Sequence, residues 1–251
     1  MGLFTSEYDV KISIGSGVRY YNNSMYQIFY NSRNFNSPVT IPNGVTSIYQ
    51  AFYFCMNFNQ PIVIPNSVTS MQYAFQYCYN FNQPITIPDN ATNMYMAFYS
   101  CNSFNQPLTI PNSVTNIASA FQLMHNFNSP VTLSENCIRL DSSFYGCRNF
   151  NRPITIPRNA QYINQMFCYC NNMCSNITVL ATNIQNAADF IGYKLNTKRI
   201  NIFVPAGSTT NTKFYNSYAN GSIVGKNITW YKNTTANYYY NSAFNVYVYY
   251  V

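Results

Sequence analysis

Eight cysteines, one histidine and six carboxylates are the groups in this 251-residue chain that could do nucleophilic, acid–base or metal chemistry. Five of the cysteines, Cys55, Cys78, Cys101, Cys147 and Cys170, stand at multiples of one 23-residue step, and Ser32, Met124 and Tyr193 fill the same place elsewhere. A reactive thiol must be exposed and deprotonated. Replacement by methionine instead marks a small apolar position. The column therefore reads as packed, free thiols, and Cys137, in the place of a valine, reads as core. Side chains that project in parallel rarely meet disulfide geometry.

Cys168, Cys170 and Cys174 form a local group, with Cys147 one 23-residue step away. Their spacing is not a usual zinc pattern, and His125 is the only histidine. A Cys168–Cys174 disulfide fits this group better than a metal does, and packed thiols fit it better than either. The acids Glu7, Asp9, Asp89, Glu135, Asp141 and Asp189 are scattered. Glycoside hydrolysis needs two carboxylates at a fixed separation, and no repeated position supplies such a pair. His125 shares its place in the repeat with Arg33, Met56, Tyr79, Asn102, Arg148 and Asn171. A column so variable reads as surface, which argues against a catalytic triad. No glycine-rich phosphate loop occurs. The expectation is a non-catalytic chain with no cofactor and no metal.

The elements that carry these residues repeat. Phe29, Phe52, Phe75, Phe98, Phe121, Phe144, Phe167 and Phe190 follow one another at 23-residue intervals. A fixed period of about 20–50 residues is the mark of a solenoid. The unit Phe58 to Asn80, FNQPIVIPNSVTSMQYAFQYCYN, has two parts. Ile62-Val63-Ile64 alternates as a short strand bracketed by Pro61 and Pro65, which cannot donate to a ladder. Val68, Met71, Ala74, Phe75, Cys78 and Phe81 then recur in steps of three and one, the spacing of one face of a helix or helix-like turn. Asn66 and Ser67 precede it as N-cap candidates.

The strand triplets recur at Val39-Thr40-Ile41, Ile85-Thr86-Ile87, Leu108-Thr109-Ile110, Val131-Thr132-Leu133, Ile154-Thr155-Ile156 and Ile177-Thr178-Val179. Stacked coils would set them in a parallel sheet about 4.8 Å apart, with the phenylalanines as the spine of the core. The asparagines Asn36, Asn59, Asn82, Asn105, Asn128 and Asn151 fall at one turn of every coil. There a stacked amide can satisfy backbone groups turned away from water. The array is expected over 20–207, with an N-terminal cap at 1–19 and a C-terminal cap or assembly segment at 208–251. In that last segment Phe244, Val246, Val248 and Tyr250 alternate as a strand. Left open, its edge would invite aggregation, so it is expected to pair with the cap or with another subunit.

These residues resemble the BspA-like leucine-rich-repeat family, whose unit runs ITIPNSVTxIxxxAFxxCxx. The match is close in ITIPDNATNMYMAFYSCNSF and LTIPNSVTNIASAFQLMHNF. The FNQP element is similar to a second bacterial repeat. Ile200 to Gly207 resembles the closing strand of such arrays. Membership implies a solenoid of short parallel strands and short helices on secreted or surface proteins that bind other molecules, without catalysis. A phage-encoded member fits the resemblance. Phenylalanine stands where the repeat usually carries leucine. In the last unit Met173, Asn176 and Leu180 replace Phe, Pro and Pro, which implies that the array closes there.

Composition limits the partners. Charged residues are 8% of the chain and the net charge is +7. No basic run interleaved with aromatics appears, which argues against nucleic acid, and no apolar stretch is long enough for a transmembrane helix. Arg148, Arg152 and Arg158 read as a solvated basic face, or as an attraction for an anionic surface. In solenoids the columns that vary carry binding. Here these are Tyr49, Tyr53, Tyr73, Tyr77, Tyr95, Tyr99 and Tyr145, with Arg148 beside them, while Thr40, Val63, Thr86, Thr109, Thr132, Thr155 and Thr178 line the strand side as a second candidate set. The functional expectation is a virion or extracellular surface protein that attaches to a protein or glycan. Its Met start, without an export signal, favours a virion setting. A homo-oligomer or virion contact would run through the C-terminal strand. A bacterial secreted or surface adhesin is the alternative, and a carbohydrate-active solenoid enzyme the third reading.

Overall fold

The computed structural model describes residues 23–192, 199–204, 230–233, 238–241 and 246–250. The expected N-terminal cap at 1–19 lies outside the described residues. So do Tyr193 and the segment 208–229.

The chain winds into a stack of 23-residue coils. Along one side, single parallel bridges join Ser24, Ser47, Ser70, Asn93, Asn116, Arg139, Tyr162 and Asn186 in succession. Along another side run short strands: β1 (Leu108–Thr109), β2 (Val131–Thr132), β3 (Ile154–Ile156), β4 (Ile177–Val179) and β5 (Ile200–Val204). β1 pairs with β2, and β3, β4 and β5 continue in parallel register, with Ile154 opposite Ile177 and Ile177 opposite Ile202. The earlier triplets at 39–41 and 62–64 keep the buried–exposed–buried alternation without pairing as strands. Nothing in the structure explains that difference.

The expected helix does not form. Among the described residues the segment after each strand is a succession of tight turns. In one coil Ala74 N donates to Met71 O, Gln76 N to Tyr73 O and Cys78 N to Phe75 O, each reaching three residues back. The intervening amides leave the coil: Met71, Tyr73, Phe75 and Tyr77 donate to the carbonyls of Asn93, Tyr95, Ala97 and Tyr99 in the next. Tyr73 and Tyr77 have φ of 57° and 63°, which a right-handed helix cannot hold. The same pair of positions is left-handed at Gln50 and Phe54, Met96 and Ser100, and Ser119 and Leu123. Turns that advance by three residues give the same apolar spacing as a helix. Stacking decides between them, because it offers every second amide a partner in the neighbouring coil. Each non-glycine residue in the left-handed region costs about 1–3 kcal/mol, which these bonds between coils offset.

The core is two ladders of rings. Phe29, Phe52, Phe75, Phe98, Phe121, Phe144 and Phe167 stack with centroids 5.2 to 6.1 Å apart. Phe35, Phe58, Phe81, Phe104, Phe127 and Phe150 stack beside them at 5.8 to 6.2 Å. The eighth phenylalanine of the period does not join. The last bridge, from Tyr162 to Asn186, takes a step one longer than those before it. Phe167 N likewise donates to Phe190 O, one position beyond the partner that the earlier coils use. An extra residue between Val179 and Ile184 shifts the register. Phe190 meets Phe167 edge-on at 83°, and Ile191, also buried, takes the place in the spine. Here Leu180 stands where five of the six earlier units carry proline and one carries Ser134.

The asparagine column works as a ladder. Asn36 Oδ1 accepts from Asn59 N at 2.8 Å, Asn59 from Asn82 at 2.9 Å, Asn82 from Asn105 at 2.9 Å, Asn105 from Asn128 at 2.8 Å and Asn128 from Asn151 at 2.9 Å. The column ends when Asn151 accepts from Cys174 N.

The C-terminal strand β8 (Val246–Tyr250) lies parallel to β5 and antiparallel to β7 (Tyr238–Asn241), which pairs in turn with β6 (Trp230–Asn233). Both edges of β8 are thus taken up within the chain. Of the two pairings expected for this strand, with the cap or with another subunit, the one seen is within the chain. Among the described residues, the outer strands of this sheet are β3 and β6. Arg199 holds the junction, with its guanidinium 3.7 Å over the Tyr247 ring and a hydrogen bond to the Tyr249 hydroxyl.

Candidate binding surface

The turn segments place their side chains by alternation. In one coil Ala74, Phe75 and Cys78 are buried and Tyr73 and Tyr77 beside them are half-buried. Four consecutive segments, 26–31, 49–54, 72–77 and 95–100, read YQIFYN, YQAFYF, QYAFQY and YMAFYS. Their outward residues form one continuous aromatic mat. One row runs Tyr26, Tyr49, Tyr73, Tyr95, with centroids 5.4, 5.4 and 5.2 Å apart. A second runs Tyr30, Tyr53, Tyr77, Tyr99 at 4.8, 5.7 and 5.4 Å. Phe54 stacks on Tyr77 at 4.2 Å, and Tyr79 closes the edge.

Six of the sequence-designated residues, Tyr49, Tyr53, Tyr73, Tyr77, Tyr95 and Tyr99, therefore share one face, all half-buried. Tyr145 lies two coils beyond Tyr99, paired edge-on with Tyr169 at 5.3 Å. Arg148 is exposed at the end of its turn, beside His125 rather than among the phenols. Tyr26, Tyr30, Phe54 and Tyr169 belong to the same columns and went unnoticed in the sequence. Following the repeat period from Tyr49, Tyr53 and Tyr77 finds all four.

Partial burial, with neighbouring phenols as a further cause, raises the Tyr53, Tyr73 and Tyr99 hydroxyls. Burial leads at Tyr145 as well, followed by Cys168 and Tyr169. These phenols stay protonated at neutral pH and act as donors. Beneath them lies Gln76, 6% exposed, whose Oε1 has no partner among the described residues. The other glutamines of the face are engaged: Gln27 Nε2 donates to Gln50 Oε1 at 2.6 Å, and Gln72 Nε2 to Ser70 Oγ at 3.4 Å.

The thiols are built into the core. Cys55, Cys78, Cys101, Cys147 and Cys170 each donate their S–H to the carbonyl of a phenylalanine in the preceding coil, at 2.9 to 3.0 Å. Burial raises Cys55, Cys78, Cys101, Cys147 and Cys170, and it pushes Cys137 up to about 12. Cys168, Cys170 and Cys174 are joined by no disulfide, so the Cys168–Cys174 bridge is not formed here. Among the described residues no three His, Cys, Asp or Glu side chains gather as a metal site would require. His125 is shifted down, first by burial and then by Arg148. Asp141 is occupied by Asn164, whose side-chain amide donates to Oδ1 at 2.6 Å, and by Arg139 at 3.7 Å from Oδ2. On the strand side, exposed threonines and Glu135 border an open groove of about 330 Å³ between Thr132 and Thr155. Among the described residues no helix is long and apolar enough to cross a membrane.

Residues 23–132 and 92–201 each match a family described as "Mycoplasma protein of unknown function, DUF285". The two overlapping matches together span most of the stack of coils. No curated protein and no solved structure matches the chain.

Proposed function

We propose that this chain, which belongs to the DUF285 repeat family, is a non-catalytic binding protein whose tyrosine face attaches the cell or virion that bears it to a partner. The family itself carries no assigned activity, so the reading rests on the surface. The observation that carries it is the gathering of ten aromatic side chains, Tyr26 to Tyr99 with Phe54, onto one side of four successive coils. Tyrosine combines a large rigid ring with a polar end and is enriched where proteins bind. The same columns in the next coil carry Ala118, Ser119, Gln122 and Leu123. A solenoid needs no aromatics there to stack, so the mat is not a requirement of the fold. The resemblance to BspA-like repeats and the virion or secreted setting belong to this proposal.

The test is binding of the labelled full chain to a panel of bacterial and animal cells, read by flow cytometry. The triple variant Tyr49→Ser, Tyr73→Ser, Tyr95→Ser should bind at least about tenfold less, because ring contacts are worth roughly 0.5–1.5 kcal/mol each. Its circular dichroism should match the wild type. Equal binding by the two proteins would remove the tyrosine face from the proposal.

A further inference from the structure

We infer that the tyrosine face holds a linear, neutral polysaccharide, with sugar rings lying along the phenol ladder and a sugar hydroxyl donating to Gln76 Oε1. This rests on the reading of the face as a binding surface and names its ligand class.

The first argument is charge. Segments 26–31, 49–54, 72–77 and 95–100 contain no Asp, Glu, Lys or Arg. Arg33 stands at the rim, its Nε donating to Asn31. A face without charge gains nothing from an anionic polymer and offers no ion pair to a charged protein surface. It matches a ligand that is itself neutral and rich in hydroxyls.

The second argument is Gln76. A buried acceptor left without a donor is destabilising. Gln76 is more than nine-tenths buried, and it sits in the column of Tyr30, Tyr53 and Tyr99. The coil before it carries Tyr53 at this place and the coil after it Tyr99. In this coil the row of rings passes through the adjacent Tyr77, which leaves Gln76 outside the ring contacts. A ligand hydroxyl would supply the missing donor. Side chains at the surface reorient within nanoseconds, which gives a ligand access to an oxygen that the resting face covers.

The third argument is periodicity. The ring-to-ring steps along both rows stay between 4.8 and 5.7 Å, with the first step of each row stacked and the next two edge-on. A folded protein presents an aperiodic surface to such a ladder. A linear polysaccharide repeats its own apolar ring faces and polar rims, which suit a side chain with an apolar body and a hydroxyl end.

The experiment uses the full chain in affinity electrophoresis and calorimetry against soluble neutral polymers (mannan, dextran, galactomannan, mixed-linkage glucan) and anionic ones (heparin, hyaluronan). At least one neutral polymer should bind, with affinity unchanged between about 0.05 and 0.5 M salt, where screening would weaken a charge-driven contact. Gln76→Met keeps the volume and removes the acceptor. It should weaken that binding about tenfold, the effect of one lost hydrogen bond, while its melting temperature stays equal or rises. A melting temperature that falls with binding unchanged would make Gln76 a structural residue and overturn its assignment. Failure of every neutral polymer, or salt-sensitive binding to the anionic ones alone, would overturn the ligand class. Cell binding that survives periodate but not protease would point to a protein partner instead. That outcome overturns this inference and leaves the attachment reading standing, whereas the tyrosine-to-serine triple tests attachment itself.

Discussion

Phe98 lies mid-stack, and truncating it measures how much the ring ladder holds. Its ring is fully buried, with Phe75 at 5.4 Å, Phe104 at 5.4 Å and Phe121 at 6.1 Å. Phe98→Ala removes the transfer energy of the ring, about 1.5–3 kcal/mol, and three ring pairs worth roughly 0.5–1.5 kcal/mol each beyond area. The expected loss is about 3–5 kcal/mol, the range for buried Phe→Ala substitutions. Phe98→Leu refills most of the volume and should cost less than half as much. In a stack where each coil touches only its neighbours, the damage should also be local. Hydrogen exchange read by mass spectrometry should show the largest loss of protection in 71–81 and 117–127, the coils on either side, with less at 160–173. Urea unfolding followed by far-ultraviolet circular dichroism gives the energy. A cost below about 1 kcal/mol, far under the usual range for a buried ring, or a uniform loss of protection along the chain, would refute the ladder as the spine of the core.

Two further outcomes follow from the thiols and the histidine. Seven cysteines are buried and Cys174 is half-buried, so native labelling with a thiol reagent should modify Cys174 alone, and all eight should react in unreduced denaturant. Six reactive thiols under those conditions would show that Cys168 or its neighbours are oxidised. His125, the single histidine, should titrate by proton NMR below the ordinary value of about 6.5. Its folded value is depressed, so the unfolded chain takes up the proton first. Its contribution to stability is intact above about pH 6.5 and declines as the pH falls below it. Arg148→Gln should move the titration part of the way back up. No movement would mean that burial alone sets it.

Much of the molecule was legible from spacing. The 23-residue period announced a stack of coils, the strand triplets showed their buried faces, and the asparagine column appeared where turn amides needed an acceptor. The helix was misread for a physical reason. Val68, Met71, Ala74, Phe75, Cys78 and Phe81 recur at intervals that turns bonded three residues apart share with a helix. Which of the two forms depends on whether Tyr73 and Phe75 find carbonyls in the next coil. Phe190 misled in the same way: its spacing is perfect, yet an inserted residue after Val179 takes it off the spine. The candidate face was legible as a set of tyrosines. It could not be seen as a mat, because contact between Tyr53 and Tyr77, or Phe54 and Tyr77, depends on the left-handed turn positions.

From its residues alone the chain is a repeat array with a phenylalanine core, packed thiols and few charges. Periodicity states these outright, since every coil must solve the same burial problem. The stacking of coils decided the rest. It drew alternate amides into bonds between coils and so replaced a helix with turns. It set six of the seven designated tyrosines on one charge-free face and moved Tyr145 and Arg148 elsewhere. It left Gln76 beneath that face with a buried oxygen and no donor. Both edges of the last strand were closed the same way, by β5 on one side and β7 on the other. Each of these turns on which groups of neighbouring coils come within bonding reach, a property of the assembled stack that no single 23-residue unit contains.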